Sequence, residues 1–149
     1  MIRIIVLLFV CGLAACSALP GGGESLPDLS DAWSITLTQS GGFAGLHRTV
    51  TVTSDGQVTA QDVRTEQSGS FRLTADELAA LEELVADAGF VGPTRTDTGC
   101  ADCFVYDLQI DSPAGRASFQ LDDVSLPDSG LQPLVAHLLS LMDGALATP

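Results

Sequence analysis

The sequence predicts an α+β fold in which an antiparallel sheet of four to five strands carries two helices on one face. Three observations lead to this prediction. Several short segments alternate apolar and polar residues, two longer segments repeat apolar residues at helical spacing, and the elements follow the order βββαββα. Because each strand has one apolar and one polar side, we expect helices on one face of the sheet and solvent on the other.

Three strands are predicted to open the folded region. WSITLT, residues 33–38, alternates strictly, and HRTVTVTS, residues 47–54, alternates valine with threonine. Asp55–Gly56 is typical of a type I′ hairpin turn, so QVTAQDV, residues 57–63, should return as the third strand. The following RTEQSGS, residues 64–70, is interpreted as a loop.

The first helix is predicted within LTADELAALEELVADAGF, residues 73–90. Thr74 and Glu77 have the spacing of a capping box, in which the hydroxyl and the carboxylate satisfy free amides of the first turn. Gly89 is expected to end the helix. The apolar stripe consists of Leu78, Leu81, Leu84, Val85 and Ala88.

Two further strands and a closing helix complete the predicted domain. FVYDLQI, residues 104–110, and RASFQL, residues 116–121, alternate again and flank a turn. DDVSLPDSG, residues 122–130, is a loop before the last helix. The buried face of that helix is predicted to contain Leu131, Leu134, Val135, Leu138, Leu141 and Met142.

The N-terminus has the pattern of an export signal. A basic residue, Arg3, precedes the apolar segment Ile4–Val10, which is too short to span a bilayer. LAAC, Leu13–Cys16, resembles a bacterial lipobox, where a peptidase cuts before a cysteine that has been acylated with diacylglycerol. This resemblance implies lipidation of Cys16 and attachment to the cell membrane or outer membrane on its extracytoplasmic side. The alternative is an ordinary signal peptide with an incidental cysteine.

These patterns divide the chain into three parts. Residues 1–15 are predicted to be the signal peptide, and residues 16–31, rich in Gly, Pro and Ser, a flexible linker after the lipidated cysteine. Residues 32–146 should form the folded α+β domain. The length suits one such domain, and we expect a monomer.

The charge balance excludes some classes of partner. The chain has 19 acidic residues and 6 Arg or Lys residues, for a net charge of −13. Removal of residues 1–15 also removes Arg3, which leaves 5 basic residues against 19 acids, or −14. Such a surface argues against nucleic acid and against electrostatic binding to anionic lipid.

The cysteine spacing predicts a structural disulfide. Once the signal peptide is removed and Cys16 is acylated, Cys100 and Cys103 are the remaining cysteines. Outside the cytoplasm, such a C-x-x-C pair is expected to be oxidised. The alternative is a redox-active pair, but that motif usually opens a helix, whereas Cys103 runs directly into a strand pattern.

No pattern of catalytic residues is recognisable, and we predict neither an enzyme, a metal site nor a cofactor. Neither His47 nor His137 has another plausible metal ligand three or four residues away, and no nucleophile-elbow or phosphate-binding motif occurs. His137 is expected to face water. A thiol enzyme based on the cysteine pair remains the weakest alternative.

The hairpin loop SGGFAGL, residues 40–46, is the most unusual motif. Three glycines in five residues permit positive φ angles and close backbone approach, which a plain two-residue hairpin does not need. Phe43 can then either fold under the sheet edge or stand out as an apolar tip for a partner. The pattern alone favours burial, because most phenylalanines in folded proteins are buried.

Several motifs together resemble the emfourin family. The similarity covers Ile35 to about Leu141, and its most specific parts are SGGFAGL and SLPD, residues 125–128. Emfourins are small bacterial protein inhibitors of protealysin and other thermolysin-like zinc metallopeptidases. They lack a lipobox and the GCADC segment of residues 99–103.

The resemblance implies that this chain binds a thermolysin-like metallopeptidase. The positions that match the loop motif, and are therefore predicted to contact the partner, are Gly41, Gly42, Phe43, Ala44, Gly45 and Leu46. Such enzymes favour a bulky apolar side chain just after the scissile bond, which Phe43 or Leu46 could supply. The alternative is an envelope lipoprotein that inhibits nothing and binds another envelope component through the polar face or an edge of its sheet.

Overall fold

The computed structural model describes residues 24–29, 31–96 and 98–147, and confirms the α+β class. The predicted signal peptide, Cys16 and the first part of the linker lie outside the described residues. Within the described part of the chain, no helix combines the length and apolar character needed to cross a membrane.

Six strands form one antiparallel sheet in the order β5-β4-β3-β2-β7-β8, and two short strands, β1 and β6, pair with each other. Helix α1 lies between β5 and β6, and helix α2 ends the chain after a short 3-10 helix at Leu126–Asp128. The bounds are β1 Glu24–Ser25, β2 Ser34–Gly41, β3 Leu46–Thr53, β4 Gln57–Asp62, β5 Gln67–Arg72, α1 Ala75–Asp87, β6 Gly89–Phe90, β7 Phe104–Ser112, β8 Gly115–Asp122 and α2 Gln132–Ala147.

The prediction of a loop at residues 64–70 was wrong, because Gln67–Arg72 forms strand β5 at one edge of the sheet. An edge strand has one neighbour and little burial, so its sequence needs no apolar alternation. Phe71 is the one large apolar residue of this strand, and it is only partly buried. The sheet therefore has six strands, and the order becomes ββββαββα with two short additional strands.

The hydrophobic core lies between the apolar face of the sheet and the helices. Helix α2 packs across β2, β3, β4 and β5, and α1 packs against α2. The most deeply buried side chains come from both layers: Ile35, Leu37, Val50, Val52, Val58, Leu81, Leu108, Ile110, Leu131, Leu134, Val135, Leu138 and Met142. Burial of these residues supplies the main favourable term in folding.

The capping box of α1 is present as predicted. Thr74 Oγ1 accepts a hydrogen bond from the Glu77 amide at 3.3 Å, and the Glu77 carboxylate accepts one from the Thr74 amide at 2.8 Å. Gly89 does not form the expected helix cap. The helix ends at Asp87, Ala88 is already extended, and Gly89 begins strand β6.

The folded unit begins before residue 32. Strand β1 pairs with β6, and Leu26 and Leu29 pack against the core. Residues 24–29 of the predicted linker therefore belong to the packed structure, because the backbone of residues 24–25 pairs with β6 and the apolar side chains of Leu26 and Leu29 contact the core.

The turn before α2 brings Gly130 into contact with β6. Its φ is +78°, and a Cβ atom there would lie 2.0 Å from the Gly89 carbonyl oxygen. The neighbouring Ser129 carbonyl accepts a hydrogen bond from the Val91 amide at 2.9 Å, and its hydroxyl accepts one from the Leu131 amide at 3.0 Å. This turn therefore connects the start of α2 to β6, the strand that pairs with residues 24–25.

Candidate functional site at the loop end of the sheet

The connections at one end of the sheet form the candidate site, which we call the loop end. It consists of residues 42–45 between β2 and β3, 63–66 between β4 and β5, 99–103 before β7, and 123–125 after β8. They lie at the same end because neighbouring strands are antiparallel: β2, β4 and β8 end there, and β3, β5 and β7 begin there.

Phe43 stands at the tip of the β2–β3 hairpin with 97% of its surface exposed. Of the two alternatives for Phe43, the buried one that the pattern alone favoured is therefore wrong, and the ring stands out as an apolar tip. The Gly45 amide donates to the Gly42 carbonyl at 3.0 Å, which closes a turn with Phe43 and Ala44 in the middle. Leu46 is half-buried and begins strand β3.

The base of this hairpin packs against the start of β7. The Gly42 amide donates to the Cys103 carbonyl at 3.0 Å. A Cβ atom at Gly41 would lie 2.8 Å from that carbonyl oxygen, and one at Gly42 would lie 2.5 Å from the Phe104 ring. Both glycines also have positive φ, so close packing and backbone conformation each require glycine here.

Cys100 and Cys103 form the predicted disulfide, with 5.5 Å between their Cα atoms. Cys103 is followed directly by β7, as the sequence indicated, and not by a helix. The short closed loop presents the Cys103 carbonyl to Gly42. The disulfide thus lies immediately beneath the hairpin that carries Phe43.

We expect the double variant Cys100→Ser, Cys103→Ser to loosen the hairpin base. Without the cross-link, the Cys103 carbonyl can move away from the Gly42 amide, so this amide should exchange its hydrogen about tenfold faster or more. Amide hydrogen exchange followed by NMR measures this effect, with interior amides of β2 and β7 as internal controls. Equal Gly42 exchange in both proteins would show that the disulfide does not brace the hairpin.

Two adjacent aspartates organise the turn after β8. Asp122 is buried, and its carboxylate accepts hydrogen bonds from the Thr98 hydroxyl, from the Val124 amide at 3.1 Å and from the Ser125 amide at 2.8 Å. Asp123 accepts from the Phe104 amide at 2.7 Å and from the Tyr106 hydroxyl at 2.8 Å. The two carboxylates connect the turn to residue 98 and to β7.

The hydrogen bond from the Thr98 hydroxyl, with further bonds from Ser125, lowers the pKa of Asp122 to about 2, although burial opposes the shift. Since the folded-state pKa lies below the usual value, this group stabilises the fold above about pH 4, and the contribution is lost as pH falls towards about 2.

We expect Asp122→Asn to lower stability at pH 7 and to flatten the loss of stability between pH 4 and pH 2. Urea unfolding at these pH values measures both effects, and an identical pH dependence in the variant would contradict the assignment.

A polar network closes the core beneath the loop end. The Arg48 guanidinium donates to Asp143 of α2 at 2.8 Å and to the buried Gln39 side chain at 2.7 Å. Tyr106, also buried, is held by Asp123, and burial followed by this contact raises the pKa of Tyr106 to about 12. These polar contacts lie next to the strand ends from which the loops project.

The loops also contact one another directly. The Val63 amide donates to the His47 carbonyl at 3.0 Å, and the Arg64 guanidinium donates to the Ala44 carbonyl. Arg64 and Val63 did not stand out in the sequence, because the β4–β5 hairpin that carries them was not predicted. Two features of the sequence could have predicted this hairpin: the alternation of β4 and the turn-like TEQSG, residues 65–69, that follows it.

The histidines lie apart and differ in exposure. His47 is exposed in β3, whereas His137 on α2 is half-buried, with its Nε2 buried and without a hydrogen-bond partner. The expectation that His137 faces water was wrong for this nitrogen. Among the described residues, no group of three or more His, Cys, Asp and Glu side chains has metal-binding geometry.

Comparison of the chain with protein-family models, curated proteins and solved structures gives no significant match. The resemblance to emfourins therefore stays a prediction from the sequence motifs. What the loop end offers physically is an exposed aromatic side chain on a short hairpin with a packed base.

Proposed function

We propose that this protein is a lipid-anchored, extracytoplasmic inhibitor of thermolysin-like zinc metallopeptidases. The observation that supports the proposal best is the 97% exposure of Phe43 at the tip of a hairpin. A large aromatic side chain in water gains free energy when it enters an apolar pocket, and such residues often dominate protein interfaces.

The packed base of the hairpin favours tight binding. Binding by a flexible loop must offset the entropy lost when the loop becomes ordered. Here the Gly42 amide is bound to the Cys103 carbonyl, and the disulfide restrains that carbonyl in turn. Phe43 is thus presented in a conformation that already exists in the free protein. In the proposed complex it occupies the pocket for the residue after the scissile bond.

The lipid anchor follows from the lipobox-like LAAC and Cys16. Several acyl chains give lasting attachment, because each buried CH₂ contributes about 0.8 kcal/mol. An acidic inhibitor held at the membrane would protect the envelope from secreted peptidases.

Detergent phase partition tests the anchor. We expect the native protein to enter the detergent phase and the Cys16→Ser variant to stay in the aqueous phase. Equal partition of both proteins would contradict the anchor.

Titration of the mature chain carrying Cys16→Ser against a panel of thermolysin-like peptidases tests inhibition. We expect at least one peptidase to lose activity stoichiometrically at micromolar inhibitor or below. A panel that remains fully active at micromolar inhibitor would contradict the proposal. It would favour the alternative, an envelope lipoprotein that binds through the hydroxyl-rich outer face of β3, β4 and β5.

A further inference from the structure

The exposed apolar side chains of this protein are concentrated at the loop end. Among the described residues, four large apolar side chains are strongly exposed: Phe43 at 97%, Val63 at 64%, Val91 at 65% and Val124 at 59%. Three of them lie at the loop end, whereas Val91 follows β6 elsewhere on the domain. Isolated exposed valines need no explanation, but three apolar side chains at one end of a sheet indicate an interaction surface.

The strand order places Phe43 between the two valines. Val63 follows β4 and Val124 follows β8, while Phe43 lies between β2 and β3 in the order β4-β3-β2-β7-β8. With neighbouring strands about 4.8 Å apart, the row from Val63 to Val124 spans about 19 Å. This distance is too long for a single side-chain pocket and fits within one side of a standard protein interface, which buries about 800 Å².

Contacts between the loops hold the row together. The Arg64 guanidinium reaches the Ala44 carbonyl and so connects the Val63 loop to the Phe43 loop. On the other side, Asp123 and Phe104 exchange hydrogen bonds, and the Gly42 amide is bound to the Cys103 carbonyl. The three apolar side chains are therefore presented by one connected structure.

We propose that Val63, Phe43 and Val124 form a single three-loop surface for a folded protein partner with a concave cleft. Phe43 enters the cleft, and the two valines contact its rims. This inference rests on the proposed function and deepens it, since it requires that the inhibited peptidase contact all three loops. The valines then determine which peptidases are inhibited.

The charge of the chain favours a protein over a membrane as the occupant. Membrane insertion of apolar tips is usually supported by basic residues near anionic headgroups. The mature chain carries −14, and acidic residues such as Glu66, Asp102 and Asp123 lie in these loops. A protein cleft with apolar walls can accept Phe43 and leave these carboxylates in water.

Single substitutions Val63→Asp and Val124→Asp test the surface, with Val91→Asp as the matched control. All three replace a valine of similar exposure and add the same charge, so their stabilities should be similar. In mature chains carrying Cys16→Ser, we expect each loop-end variant to weaken inhibition of a susceptible peptidase about tenfold or more. Val91→Asp should remain within about twofold of the parent.

The outcomes separate this inference from the proposed function. If Phe43→Ala weakens inhibition and both loop-end valine variants behave like Val91→Asp, the three-loop surface is wrong and the function stands. If no peptidase is inhibited, both are wrong. Binding of the lipid-free protein to phosphatidylcholine vesicles that disappears in Val63→Asp and Val124→Asp would identify a membrane as the occupant and overturn the inference.

Discussion

Replacement of Phe43 by alanine is expected to weaken inhibition of a susceptible metallopeptidase about 30-fold or more, which corresponds to about 2 kcal/mol. The side chain is 97% exposed in the free protein, so its removal takes nothing from the core. The melting temperature should therefore change little. Inhibition titrations and thermal unfolding of the same preparations measure the two effects.

Phe119→Ala is the matched control for this prediction. Phe119 is 3% exposed and packs against Phe90 with 4.5 Å between the ring centres. Its loss should cost about 3–5 kcal/mol of stability, because it leaves a cavity in the core. A Phe43→Ala protein that melts early and inhibits normally would contradict the assignment of Phe43 to the interface.

Gly130→Ala is expected to cause the largest loss of stability from a single methyl group, about 3 kcal/mol or more. The new Cβ atom would lie 2.0 Å from the backbone oxygen of Gly89, and a backbone atom cannot rotate away. The residue would also have to keep a φ of +78°. Urea unfolding at pH 7 measures the loss.

Gly144→Ala provides the comparison in the neighbouring helix. The nearest atom outside the backbone of its own helix, in the Phe71 ring, lies 3.9 Å from its Cβ position, which is ordinary van der Waals contact. Alanine should therefore stabilise α2 by about 0.5–1 kcal/mol. If Gly130→Ala is as stable as Gly144→Ala, the turn before α2 is less tightly packed than the structure indicates.

Local patterns of the sequence predicted most of the fold. Strict alternation identified β2, β3, β7 and β8, and the spacing of Thr74 and Glu77 located the start of α1. Strand β5 was not predicted, because its sequence, QSGSFR, has no apolar alternation. The pairing of β1 with β6 joins residues more than 60 positions apart, and no local pattern encodes that contact.

The candidate site was predictable only in part. Three glycines around Phe43 identified an unusual hairpin, but composition cannot distinguish a buried ring from an exposed one. In the structure, Cys103 and Phe104 occupy the space next to Gly41 and Gly42, and the Phe43 ring stands in solvent. Val63 and Val124 join the proposed three-loop surface only through the strand order, so nothing in the sequence around either valine indicated a role.

The docking of β1 on β6 determines how far a protein anchored at Cys16 can reach. Since the packed structure already includes Glu24, only seven residues separate it from Cys16, the position proposed to be acylated. Eight extended steps span at most about 29 Å, roughly half the length that a free chain up to residue 32 would provide. If the protein is the anchored inhibitor proposed above, it would act only in a thin layer next to the bilayer and meet only enzymes that approach the lipid surface.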